Sequence, residues 1–259
     1  MSFKHIISRD NAVFKHLKKL ADNKRERSRE GKTLLDGVHL IEGYLQAFGE
    51  PELLIIPEGK STQEATDLMQ QLGDVNTTMF PTLMFAELTP VSSSTGILAL
   101  VKKPEVAVPE TINFALMLED IQDPGNLGSM LRTALGAGVD AVYLSKGCTD
   151  AWSPKSLRGG QGAQFHMPII EGLDIVETIE AFAGDTFATT LAGNSLYDHD
   201  LTKPTAFVIG NEGAGLSHAT TQAATHQISI PMHDKLESLN AAAAAAVCLF
   251  ERTRQAPVK

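Results

Sequence analysis

Three short stretches carry side chains that could do chemistry: Asn126-Leu-Gly-Ser-Met-Leu-Arg132, Gly210-Asn-Glu-Gly-Ala-Gly-Leu216, and Ile230-Pro-Met232 followed by Ser238-Leu-Asn240. Arg132 falls four residues from Gly128 and four from Gly136, so on a helix it stands between two positions without side chains, where a ligand or another backbone could come close. A guanidinium stays protonated far above neutral pH, which suits it to stabilising charge better than to abstracting a proton. A glycine loop such as 210–216 first suggests a phosphate site. The loop is not GxGxxG, the Walker lysine is absent, and Glu212 sets a negative charge among the amides a phosphate would use. A ligand with amide-seeking polar atoms and a tolerance for acid suits it better. S-adenosylmethionine, with a sulfonium, an ammonium and no phosphate, has that character. The bland alternatives are that Asn126 and Ser238 cap helices, that Glu212 braces its loop, and that Arg132 is solvated.

These stretches need elements to place them. Phe114–Leu118 reads as a buried strand, and Asp123-Pro124 as a helix start with Asp as cap and Pro at the first position. The helix is expected to run to about Ala137 and stop at Gly138, with Leu127, Met130, Leu131, Ala134 and Leu135 on its apolar face. Further strands are expected at 141–144, 168–170, 186–191, 206–209 and 227–230. Helices are expected from Ser153-Pro154, over 174–182 and 217–224, and from near Glu237 through six alanines to about Arg254. Two of the three stretches then follow strand ends and the third opens a helix, which in open α/β sheets is where ligands bind. Upstream, helices at 10–31, 38–48, 62–72 and 82–88 alternate with strands at 33–35, 53–56, 75–79 and 96–101. This predicts a small α/β domain. Lys102–Thr111, with two prolines and no periodicity, reads as a linker between residues 1–101 and 112–259.

The 259 residues are 43% hydrophobic and 20% charged, as in a soluble globular protein. No apolar run reaches the roughly 18 residues of a membrane helix, and the charged N-terminus is unlike a secretory signal. Cys148 and Cys248 show no CxxC spacing and the eight histidines no HxxxH, so neither a metal site nor a disulfide framework is expected. A reducing cytoplasm is the simple location. The net charge is −9, yet residues 1–35 hold ten Lys/Arg against four Asp/Glu, a local balance of +6. Such asymmetry marks either a polyanion-facing surface or a merely solvated basic helix.

Taken together, N-x-G-x-x-x-R-T-A at Asn126–Ala134, G-N-E-G-x-G-L at Gly210–Leu216 and I-P-M … S-L-N at Ile230–Asn240 resemble, in order and spacing, the three motifs of the SpoU (TrmH) family. These are S-adenosylmethionine-dependent RNA ribose 2′-O-methyltransferases. The similarity covers about residues 113–254. Ser153-Pro-Lys155 with Arg158 and Gly162 also looks like the family segment between its first and second motifs. The first 100 residues are similar in pattern to the substrate-binding domain of the rRNA-acting members, which itself resembles RNA-binding ribosomal proteins.

The resemblance implies an α/β protein of two parts. One is a small N-terminal α/β RNA-binding domain; the other is a trefoil-knotted, SPOUT-type methyltransferase domain with a mostly parallel sheet, acting as a homodimer. It implies transfer of a methyl group to a ribose hydroxyl of RNA, with 23S rRNA favoured over tRNA because of the separate first domain. A non-catalytic RNA-binding or ribosome-assembly protein is the alternative of another class. Arg132, Asn126, Glu212, Ser238 and Asn240 would form the catalytic set. Gly193, Ile209, Gly210, Ile230, Met232 and Leu239 would hold the cofactor. Lys18, Lys19, Lys24, Arg25, Arg27 and Arg158 are the candidates for touching RNA. No metal or membrane partner is expected. Two positions depart from the family pattern: Ala241-Ala242 stands where Val-Ser is frequent, and Gly160 where Ser is frequent.

Overall fold

The computed structural model describes residues 3–59, 61–73, 75–89 and 95–256. The chain forms two compact units, Met1–Glu105 with Trp152–Phe165, and Val106–Ala151 with His166–Lys259.

The first unit contains β1 (Phe3–His5), α1 (Ala12–Asp22), α2 (Lys24–Glu30), β2 (Lys32–Asp36), α3 (Val38–Phe48), β3 (Leu53–Pro57), α4 (Gln63–Gln71), β4 (Thr77–Phe80), α5 (Thr82–Ala86) and β5 (Leu98–Lys102). Its mixed sheet has the order β1-β4-β3-β5-β2, with β5 antiparallel to both neighbours. Phe14, Leu17 and Leu20 of α1 pack on Leu34, Ile55, Phe80 and Leu98 in the core. The single helix expected over 10–31 is broken at Asn23, whose extended backbone and side chain, accepting from Arg25 N at 2.9 Å, start a second helix. β1 escapes sequence reading because all three of its residues are exposed and show no alternation.

The segment Trp152–Phe165 belongs to this unit although it lies among the later motifs in sequence. Thr33 Oγ1 donates to Trp152 O at 2.7 Å, and Phe165 meets Tyr44 and Phe48 edge-on at 5.8 and 6.1 Å. By the boundaries expected from sequence these residues fall in the second domain. Their apolar side chains find their partners in the first.

The second unit is built from β6 (Phe114–Leu118), α6 (Pro124–Ala137) and β7 (Ala141–Ser145). The chain then visits the first unit as α7 (Pro154–Gly160) and returns with β8 (Ile169–Leu173), α8 (Ile175–Ala181), β9 (Asp185–Ser195), β10 (Thr205–Ile209), α9 (His218–Ala223), β11 (His226–Ser229) and α10 (Ala241–Gln255). The six strands are all parallel, in the order β11-β9-β10-β6-β7-β8. Every residue of β6 and β10 is buried, as expected of central strands covered on both faces. These two strands mark the point where strand order reverses, so the loops leaving their C-terminal ends open a crevice.

Sequence signals set the helix ends beside that crevice. Asp123 Oδ1 accepts from Gly125 N at 2.7 Å and Asn126 N at 2.9 Å, Pro124 takes the first position, and Gly138 ends α6 at φ 79°. Gly128 lies on the buried face with Leu127 and Leu131, while Gly136 is exposed. The last helix begins at Ala241, not near Glu237. Asn240 Oδ1 caps it by accepting from Ala242 N and Ala243 N at 2.9 and 3.2 Å. α10 packs along α6, burying Ala242, Ala245, Cys248 and Leu249, so the alanine run includes a packed face.

Candidate functional site

The loops after β6 and β10 are joined by one carboxylate. Glu212 Oε2 accepts from Gln122 N at 3.0 Å, and its Oε1 accepts from Asp123 N and Asn126 Nδ2, both at 3.1 Å. Asn240 Nδ2 in turn donates to Asn126 Oδ1 at 3.1 Å. The three sequence stretches thus meet in a single relay, Asn240 to Asn126 to Glu212. Burial alone would raise the Glu212 carboxyl, but the hydrogen bonds from Gln122 N and the Asn126 amide outweigh it and hold the group below its ordinary value. Glu212 therefore stays ionised and works as an acceptor.

Beside the relay lies a cavity of about 610 Å³. Ile209, Gly210, Ile230, Met232 and Leu239 of the expected cofactor set line it, together with Glu212 and Ser238 of the expected catalytic set. Its apolar walls suit an adenine ring. It carries Glu212 and Glu237, and no lysine or arginine is among the described residues that line it. A cation without phosphate is the ligand this charge pattern favours. Gly210 is required: a Cβ there would stand 2.3 Å from Gly215 C and 2.4 Å from Leu216 N, both backbone. These features fit S-adenosylmethionine.

Two expected residues stand elsewhere. Gly193 lies inside β9, which runs on to Ser195, and it does not line the cavity. Between Gln227 and Ile228 the register of β11 on β9 jumps from Ala188 to Asn194, so Thr189–Gly193 bulges out. Thr189–Ala192 of this bulge form one wall of the cavity, a contribution not evident from sequence. Arg132 is exposed on α6, about 9 Å along the helix axis from Asn126, and forms no hydrogen bond or ion pair among the described residues. Ser238 is exposed as well, and the described residues give its hydroxyl no hydrogen bond.

Sequence reading also passed over three residues that shape the loops. Asn211 Oδ1 accepts from Gly213 N and Ala214 N at 2.9 and 2.8 Å, and its Nδ2 donates to Asp120 O at 2.8 Å. An Asn side chain readily accepts from backbone N–H groups two residues on, and that is the signal that could have found this role. Glu119 accepts from Ser217 N at 2.7 Å and Ser217 Oγ at 2.9 Å, fixing the entry to α9. Asp120 adopts φ 55°, a left-handed conformation that only a few side chains tolerate.

Among the candidate RNA contacts, Arg27 is corrected. It is 4% exposed, and its Nη1 donates to Leu20 O at 2.5 Å and Ala21 O at 2.9 Å, satisfying carbonyls at the end of α1. Lys18 is tied to Asp22 at 2.8 Å and to Glu87 O at 2.9 Å. Arg158 lies 4.0 Å from the buried Asp36. Lys19, Lys24 and Arg25 are exposed. Much of the basic head is balanced locally, since Arg9, Lys15, Arg29 and Lys32 also have carboxylate partners.

A parallel α/β unit with a glycine loop after β10, a cavity that no lysine or arginine among the described residues lines, and an amide–carboxylate relay beside it has the makings of a methyltransferase of the kind that binds S-adenosylmethionine. The sequence profile of the SpoU rRNA Methylase family matches residues 113–250, and the chain belongs to that family. It is 32% identical over 250 residues to the 23S rRNA (guanosine(2553)-2′-O)-methyltransferase RlmP of Bacillus subtilis, covering 95% of this chain and 98% of that one. It is 30% identical over 264 residues to the 23S rRNA (uridine(2479)-2′-O)-methyltransferase of Streptomyces viridochromogenes, covering 96% and 92%. The crystal structure of the SpoU methyltransferase AviRb from Streptomyces viridochromogenes, in complex with the cofactor AdoMet, superposes with a TM-score of 0.79 at 28% identity. That match covers 95% of this chain and 98% of that one.

Proposed function

We propose that the protein transfers a methyl group from S-adenosylmethionine to a ribose 2′-hydroxyl of ribosomal RNA, with 23S rRNA as the favoured substrate. The observation that carries this reading is the relay joining Asn240, Asn126 and Glu212 beside a cavity that carries carboxylates and that no lysine or arginine among the described residues lines. The 23S rRNA activities of the relatives named above, and the separate first unit, support the choice of RNA.

The bound cofactor supplies an electrophilic methyl group on a sulfonium sulfur. The protein's part is to hold, orient and stabilise. The segments around Gly210, Ile230 and Leu239 offer backbone groups and apolar surface to the cofactor. Glu212, ionised and already accepting three hydrogen bonds, fixes Asn126 and through it Asn240, and the second N–H of each side-chain amide is left to position the ribose. Arg132, exposed and permanently charged, grips a backbone phosphate beside the target and stabilises charge developing on the 2′-oxygen. A trefoil-knotted second unit and a homodimer are part of this proposal. The dimer is supported by Leu191, Met232, Leu236 and Phe250, large apolar side chains left exposed on the second unit. A reducing, cytoplasmic setting suits its two buried cysteines.

The test is incubation with rRNA and methyl-labelled cofactor. Label should appear at one nucleotide whose 3′ phosphodiester bond resists alkaline cleavage. Label on a base would overturn the reading. Arg132→Ala should lose about 100–1000-fold in rate while cofactor binding survives, and Arg132→Lys should recover only part of it.

A further inference from the structure

Asn211 has two hydrogen-bonding ends with separate destinations. Its Oδ1 takes the N–H groups of Gly213 and Ala214, and its backbone exchanges bonds with Gly215 at 3.1 and 2.9 Å. These contacts suffice to shape its own loop. Its Nδ2 reaches the other loop, donating to Asp120 O at 2.8 Å. That carbonyl is offered because Asp120 sits at φ 55°, one of two described non-glycine residues with positive φ. The turn is held from behind: Asp120 N donates to Ser145 Oγ at 2.9 Å, and Ser145 Oγ donates to Asp120 Oδ1 at 2.6 Å. Gly147 leaves room for the carboxylate, which would stand 2.0 Å from a Cβ. The same turn directs Gln122 N and Asp123 N at Glu212.

We infer that Asn211 is a positioning residue for methyl transfer: its side-chain amide clamps the glycine loop to the left-handed Asp120 carbonyl and so sets where Glu212 holds Asn126 and Asn240. The inference rests on the function proposed above. Asn211 acts through Glu212, the next residue in the chain. A loop free to slide by an ångström would leave the relay formed but misplaced, and misplacement on that scale costs about 100-fold in rate.

Asn211→Asp separates the two ends. It keeps the shape and the acceptor for Gly213 and Ala214, loses the donor, and sets a negative charge against the Asp120 carbonyl. The neighbouring Glu212 charge disfavours ionisation of the new acid while the N–H groups of Gly213 and Ala214 favour it, and once protonated at acidic pH it can again donate to Asp120 O. Expected are a fall in kcat of about 100-fold near pH 8, a cofactor Kd within about threefold of wild type, and recovery of rate relative to wild type as the new acid is protonated on acidification. The side-chain amide resonances of Asn126 and Asn240 should shift in Asn211→Asp near pH 8 and return on acidification, a readout that needs no activity. Unmoved resonances, or a wild-type kcat near pH 8, would overturn the inference. So would a pH-independent loss matched by equal weakening of cofactor binding. Wild-type protein that moves no methyl to RNA sinks the proposed function, and the resonances still decide the positioning role.

Discussion

Asn126 and Glu212 are eighty-six residues apart and share a hydrogen bond of 3.1 Å. The sheet brings them together. β6 and β10 run parallel with Leu118 beside Ile209, so the loops that follow leave from adjacent strand ends. Gln122 N and Asp123 N then have an anionic acceptor directly opposite them. Hydrogen bonds to a charged partner are stronger than neutral ones, and here three converge on one carboxylate.

Glu212→Gln should therefore be more damaging than its shape implies. The substituted amide offers donors where the loop already presents donors, and one oxygen is lost. Expected are a fall in kcat of about 10–100-fold and, since the residue is exposed, a stability loss of only about 1 kcal/mol. The pH dependence has a definite sign. The Glu212 carboxyl lies below its ordinary value of 4.5 in the folded protein, so its stabilising effect is present above that value and is lost as pH falls through the lowered folded pKa. Thermal melts across acidic pH should show this component in the wild type and its absence in Glu212→Gln. Identical pH profiles would remove Glu212 from the account.

Much of the second unit was legible because local chemistry agrees with tertiary need. Asp123-Pro124 and Gly138 bound α6 as their cap, first-position and left-handed preferences dictate, and the apolar runs of β6 and β10 are the buried central strands. What escaped depends on pairing between distant residues. The bulge at Thr189–Gly193 is visible only once β11 lies beside β9; in the sequence alone, Ala192-Gly193 reads as the end of the strand. Glu237 and Leu239 fit a helix by propensity, yet α10 starts only after Asn240, whose side chain caps it at a definite point. Arg27 read as surface charge because composition does not reveal that the carbonyls of Leu20 and Ala21 lie within its reach. Gly160 has a spatial reason. The Gln164 amide stands 2.5 Å from where its Cβ would be, filling the place of a serine side chain.

Trp152 is the only tryptophan of the chain and is 3% exposed within the first unit. Its fluorescence should therefore report on that unit. Phe165, also 3% exposed, packs against Tyr44 and Phe48. Phe165→Ala should destabilise the first unit by about 3–5 kcal/mol and move the fluorescence transition to lower denaturant. For the same reason, removal of residues 1–100 should strip Trp152, Leu157 and Phe165 of their partners and give a red-shifted, aggregation-prone protein. A truncated protein with a blue, protected Trp152 would contradict the two-unit division.

The basic N-terminal residues should separate into two groups by salt dependence. Lys19 and Arg25 are exposed. Loss of a phosphate contact through either one should lower the log–log salt slope of RNA binding by about 0.7–0.9. Arg27→Ala should leave that slope unchanged and instead lower thermal stability, because carbonyls at the end of α1 lose their donor. A reduced slope in Arg27→Ala, with no change in melting, would reverse this assignment.

Gly193 offers a test of how the cavity wall is held. Its Cβ would stand 2.5 Å from Ile228 C and Ile228 N and 2.6 Å from Gln227 C, all backbone atoms with no side chain free to yield. The residue lies outside the cavity lining, but it anchors the bulge whose Thr189–Ala192 form one wall. Gly193→Ala must therefore push β9 and β11 apart, at a cost of about 1–3 kcal/mol, and displace that wall. Cofactor affinity measured by calorimetry should weaken by about tenfold or more, although no lining residue has changed. Gly172 in β8 is the control, with φ 78° and open space around the added Cβ. Gly172→Ala should lower stability by about 1 kcal/mol through backbone strain and leave cofactor affinity alone. Wild-type affinity in Gly193→Ala would mean that the close approach of β9 and β11 at this point has no part in shaping the cofactor site.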